Sequence, residues 1–74
     1  MIIHADPGES LYSFFERVLK DIEGTTNIVR TVFNGIDVNV IPESHIGNLL
    51  TIWDQKRQLV RLGVVKPYSE RNPS

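Results

Sequence analysis

The sequence predicts a small single α+β domain in the order (β)-α-β-β-α, an antiparallel hairpin sheet covered on one face by two helices. Three observations predict it. Leu11, Phe14, Phe15, Val18, Leu19 and Ile22 recur at helical spacing as one apolar stripe. Asn34-Gly35 stands between two β-branched runs, Ile28 to Phe33 and Ile36 to Ile41, as a two-residue hairpin turn does. Ile46, Leu49, Leu50, Trp53 and Val60 then form a second helical stripe.

Met1 to Ala5 carries two isoleucines and stops at Asp6-Pro7-Gly8, which reads as a brief edge strand. Asp6 is the expected N-cap of the first helix, with Pro7 at its first position and Glu9 closing a capping box. Gly24 is placed to end that helix in the left-handed region. In the hairpin a type I′ turn sets Phe33 against Ile36, Thr31 against Val38 and Val29 against Val40 on one apolar surface. Arg30, Val32, Asp37 and Asn39 fall on the other surface, which is expected to be wet.

Pro42 ends the second strand and Ser44 is the expected N-cap of the last helix, about His45 to Leu62. Arg57 interrupts the apolar stripe four residues past Trp53, where stacking on the indole is the expected outcome. Ile52, Leu59 and Leu62 lie off the main stripe, toward a second side of the helix. This helix is ~27 Å long against ~20 Å for a six-residue strand, so its last turns should project past the sheet. Residues 1–63 are taken as the domain and 64–74 as a flexible polar tail.

At 74 residues the chain buries only about 60% of the surface its unfolded form exposes, and it has no cysteine to cross-link it. A second copy would supply further burial, so a homo-oligomer is expected, a dimer first. No apolar run reaches the ~20 residues of a membrane span, and MIIHADPGES lacks the features of a signal peptide. A soluble, cytoplasmic protein with no membrane partner is the expectation. The net charge of −1 is uneven: residues 1–27 carry −3, and residues 54–74 carry +3 through Lys56, Arg57, Arg61, Lys66 and Arg71 against Asp54 and Glu70.

Chemistry-bearing patterns are sparse. His4, Asp6 and His45 match no metal-ligand spacing, no G-x-S-x-G elbow occurs, and no glycine-rich phosphate loop is present. Gly47, in the first turn of the last helix, fits neither a turn nor a helix end, and is read as marking either a close neighbour or a turn that tolerates it. The expectation is therefore a non-enzymatic protein-binding module with no catalytic residue, cofactor or metal. Its candidate surfaces are the last helix's projecting end (Ile52, Lys56, Arg57, Leu59, Arg61, Leu62) and the polar hairpin face (Arg30, Val32, Asp37, Asn39). A nucleic-acid-binding regulator using the basic helix end is the main alternative, although the pI is near 6.0. An oligomeric small-ligand sponge is a third reading.

Phe33-Asn34-Gly35-Ile36-Asp37-Val38-Asn39-Val40, followed by Pro42-Glu43-Ser44 and a helix, resembles a pattern in small uncharacterised phage and prophage proteins. The resemblance spans roughly residues 8–62. It implies an accessory protein, such as an inhibitor of a host defence system, and it transfers no functional residue.

Overall fold

The computed structural model describes residues 1–71, except for the side chains of Glu70 and Arg71. The elements are β1 (Ile2–His4), α1 (Leu11–Ile22), β2 (Val29–Phe33), β3 (Ile36–Val40), α2 (Ile46–Arg61) and a helical turn, α3 (Tyr68–Arg71). They form a small α+β fold around a three-stranded sheet in the order β1-β2-β3.

The hairpin is antiparallel as expected, and the edge strand β1 adds to it in parallel, so the three-stranded sheet is mixed. β2 and β3 pair antiparallel, while β1 runs parallel to β2 with Ile2 beside Arg30 and His4 beside Val32. Parallelism follows from α1: a helical crossover returns the chain to the starting end, so the next strand runs in the same direction. In the hairpin, Val29 faces Val40, Thr31 faces Val38 and Phe33 faces Ile36, as the turn chemistry requires. Asn34 and Gly35 adopt φ of 50° and 78°, the left-handed values of a type I′ turn.

The start of α1 departs from expectation. Asp6 does not cap it; the Glu9 N–H donates to the Asp6 carbonyl across a tight turn with Pro7 second and Gly8 third, at φ 81°. Pro followed by a positive-φ glycine is type II turn chemistry, and it stops the helix from starting before Ser10. Ser10 is the N-cap, its hydroxyl accepting from the Ser13 N–H at 3.2 Å. Glu9 still reaches back to the Asp6 N–H at 3.0 Å, so half of the expected capping box survives as a loop staple.

At α2, His45 replaces Ser44 as N-cap, its Nδ1 accepting from the Gly47 N–H at 3.2 Å. Ser44 instead accepts from the Ile41 N–H at 3.0 Å and closes the Pro42 turn. A Cβ on Gly47 would lie 3.4 Å from the His45 Nδ1, so the capping imidazole is the nearest neighbour of that position, at contact distance. α2 ends in a Schellman motif: Val64 N–H bonds to the Leu59 carbonyl and Gly63 N–H to the Val60 carbonyl, with Gly63 at φ 78°.

The core lies between the helices and one sheet face. Phe14, Phe15, Val18 and Ile22 of α1 meet Val29, Val38 and Val40 of the hairpin and Leu49 of α2. Trp53 is the last residue of α2 to pack on this cluster, so the final two turns of the helix add nothing to it. The Trp53 indole N–H donates to the Phe33 carbonyl at 3.2 Å and its ring meets Phe33 edge-on at 5.7 Å, fixing α2 against the turn end of the hairpin.

Candidate functional site

Strand alternation sends Ile2, His4, Ile28, Arg30, Val32, Asp37, Asn39 and Ile41 to the sheet face away from the helices. The two ends of that face differ. At the turn end Val32 and Asp37 are only 7% and 6% exposed, which corrects the expectation that both are wet. The C-terminal segment comes up to this end. Within the stretch expected to be a tail, the Tyr68 N–H donates to the Gly35 carbonyl at 2.7 Å, and the Tyr68 ring meets the His4 ring edge-on at 6.2 Å. Residues 72–74 of that stretch lie outside the described residues. Lys56 of α2 reaches Asp37 with its Nζ 3.0 Å from Oδ1, and the Arg30 Nε lies 3.9 Å from Oδ2.

The opposite end is open. Ile2, Ile28 and Ile41 are 45%, 67% and 41% exposed around the exposed Arg30 and Asn39. Ile28 and Ile41 sit just beyond the last ladder pair, Val29–Val40, whose members are fully buried. The sequence reading omitted these isoleucines, although parity with Arg30 and Asn39 was the signal that places them outward.

On α2 the named residues divide between two sides. Arg57 lies over the Trp53 ring at 5.8 Å and pairs with Asp54 at 3.0 Å, so the stacking expectation holds geometrically. Arg57, Gln58, Arg61 and Leu62 border a shallow groove of about 410 Å³. Ile52, Leu59 and Leu62 are 47%, 40% and 76% exposed on a separate stripe. Of the three bases on this helix, Lys56 and Arg57 each hold a carboxylate of the same chain.

A cleft of about 540 Å³ opens at the C-terminal ends of β1 and β2, bordered by His4, Asp6, Glu9, Val32, Asn34 and Gly35. Glu9 is its best-held polar group: Arg17 donates to it through Nε at 2.9 Å and Nη2 at 3.1 Å. The guanidinium also lies 5.5 Å over the Phe14 ring. Hydrogen bonding from Arg17, with the Asp6 N–H second, holds the Glu9 carboxyl below its ordinary pKa. The same bond raises that of Arg17. His4 and Asp6 share this cleft, whereas His45 is engaged at the start of α2. Among the described residues no three His, Cys, Asp or Glu side chains gather to hold a metal ion, and no helix is long and apolar enough to cross a membrane. No protein-family model, curated protein or solved structure matches the chain.

Proposed function

We propose that this protein is a non-enzymatic protein-binding module that docks through the open half of its outer sheet face and covers a surface of a larger protein. The observation that carries the reading is the exposure of Ile2, Ile28 and Ile41 around Arg30 and Asn39. Apolar side chains surrounding an arginine match the make-up of protein interfaces, which are enriched in arginine and depleted of lysine and acids at their centre. Arg30 is held only loosely, 3.9 Å from Asp37 with its side chain 43% exposed, so it has donors to offer a partner. The partner's surface is apolar, with a carboxylate or carbonyl placed to accept from Arg30. A phage accessory protein that occludes a host component is the setting implied by the hairpin-and-helix resemblance.

Affinity capture with the wild type, an Ile28→Lys/Ile41→Lys variant and a Tyr12→Lys control tests the reading. Tyr12 is 53% exposed on α1, away from this face. A protein retained by the wild type and control, but lost with the double variant, is the expected result. Equal retention by all three overturns the reading. So does binding of labelled DNA or RNA with a steep salt dependence, the signature of phosphate contacts.

A further inference from the structure

Asn34-Gly35 is the one Asn-Gly pair of the chain, and it forms the turn between β2 and β3. The pair carries a chemistry of its own. The Gly35 backbone nitrogen can attack the Cγ of Asn34: the N–Cγ bond forms, the Cγ–Nδ2 bond breaks, and the side-chain nitrogen leaves as ammonia with the amide proton. Water then opens the resulting cyclic imide. Cleavage at Cγ leaves aspartate, whereas cleavage at the backbone carbonyl leaves isoaspartate, whose main chain runs through Cβ and Cγ and is one atom longer. Water enters, ammonia departs, and nothing is oxidised or reduced. Asn34 is exposed, and the glycine after it has no side chain to crowd the attacking nitrogen. Asn27, Asn39 and Asn48 are also exposed, but each precedes a branched residue, Ile28, Val40 or Leu49.

The native turn opposes this reaction. Asn34 and Gly35 hold φ of 50° and 78°, the type I′ arrangement, whose first central residue has ψ of about +30°. The substituents on Cα are spaced a third of a turn apart, so at that ψ the Asn34 Cβ lies nearly opposite the Gly35 nitrogen across the Cα–C bond. Ring closure needs the two on the same side. The Asn34 ψ must therefore swing through almost half a turn. That swing breaks the Phe33–Ile36 pair that the turn joins, and it displaces the Gly35 carbonyl, which accepts from the Tyr68 N–H at 2.7 Å.

We infer that Asn34 is a modification site that the native turn keeps closed: it converts to aspartate and isoaspartate in molecules whose hairpin end has opened, and the conversion is one-way. The two products differ in what they restore. Asp-Gly also suits a type I′ turn, so the aspartyl chain refolds. It then carries an added carboxylate on the cleft that Asn34 borders with Asp6 and Glu9. The isoaspartyl chain has an extra main-chain atom in a two-residue turn, so the pairs from Phe33–Ile36 onward lose the register that this turn dictates. Opening of the hairpin is reversible, and the conversion leaves a permanent mark of it.

Peptide mass spectrometry of the protein aged at mildly alkaline pH, with and without denaturing urea, tests this. Exchange of the amide NH2 for OH is read as a gain in mass at Asn34. In urea Asn34 is expected to convert while Asn27, Asn39 and Asn48 stay intact over the same period. In the native protein its conversion is expected to be about tenfold slower or more, because only the opened fraction reacts. Hydrogen exchange on the two separated products is the second measurement. The Ile36 amide is expected to keep its protection in the aspartyl product, as in an Asn34→Asp variant, and to lose it in the isoaspartyl product. Equal rates with and without urea overturn the inference, as does an Asn34 that stays intact in urea. Two products with the same Ile36 protection overturn the permanent mark.

Discussion

Lys56 holds Asp37 twice, with its Nζ 2.8 Å from the backbone carbonyl and 3.0 Å from Oδ1. Asp37 points to the outer sheet face, while α2 packs on the inner side, so the lysine reaches around the β3 edge to join the two. The Asp37 side chain is 8% exposed, and a carboxylate so placed depends on its donors. Lys56→Met keeps the apolar stem and removes the donor. Leaving a buried acceptor short of a partner costs about 1–3 kcal/mol, and Arg30 lies close enough to place the result toward the lower end. Urea unfolding measures it. Adding Asp37→Asn in a double-mutant cycle should give a total loss smaller than the sum of the single losses, because the two residues share one interaction.

The acid stability of the β1–α1 loop is set by Glu9. Its folded-state pKa lies below the ordinary 4.5 because Arg17 and the Asp6 N–H favour the ionised form. A carboxylate with a depressed folded pKa stabilises the fold fully above its unfolded value, and that increment is lost as pH falls through the folded value. Glu9→Gln removes the increment. Thermal unfolding should show a wild-type advantage that is constant near neutrality and shrinks as pH drops below about 4.5, the unfolded reference value. A gap that persists unchanged at low pH would show that the carboxylate charge is not its source.

What could be read from the residues depended on how locally each feature is specified. Asn34-Gly35 selects its turn alone, and the turn then dictates every pair from Phe33–Ile36 to Val29–Val40. The start of α1 was misplaced, because Asp6 with Pro7 and Glu9 matches a capping box in sequence, whereas the glycine at position 8, taking up φ 81°, turns the chain there and leaves the cap to Ser10. β1 has three residues, too few for a periodic signal, yet its parallel direction follows once a helix separates it from β2. The burial of Val32 and Asp37 was not readable. Lys56, which holds Asp37, is 19 residues away in sequence, and Tyr68 reaches this end of the face from farther still; no local pattern encodes such an approach. The outward isoleucines are the reverse case: parity places Ile28 with Arg30 and Ile41 with Asn39, and only their exposure had to come from the fold.

Gly35 combines two demands. Its φ of 78° disfavours any side chain, and a Cβ there would come within 3.7 Å of the Pro67 Cβ, an ordinary contact distance. The cost of Gly35→Ala therefore comes from the backbone alone, about 1 kcal/mol or slightly more. At Gly47, where φ is not positive, the same substitution meets only the His45 imidazole and also gains helix propensity. Chemical denaturation of the two variants should find Gly35→Ala the less stable.

Tyr68 ties the C-terminal segment to the turn end of the hairpin. A backbone hydrogen bond to Gly35 and an edge-on ring contact with His4 help to hold the segment at this end. Tyr68→Gly removes the ring and loosens the backbone, while the Schellman motif at Gly63 still anchors residues 63–64. Hydrogen exchange should then show residue 68 losing its protection while Val64, bonded to Leu59, keeps its own. The overall loss of stability should stay near 1 kcal/mol, the scale of one net hydrogen bond. Val32 lies beside His4 in the ladder, so its methyl resonances should shift when the ring is removed. If residue 68 exchanges in the wild type as fast as an unfolded chain, the segment is not held at this end of the hairpin.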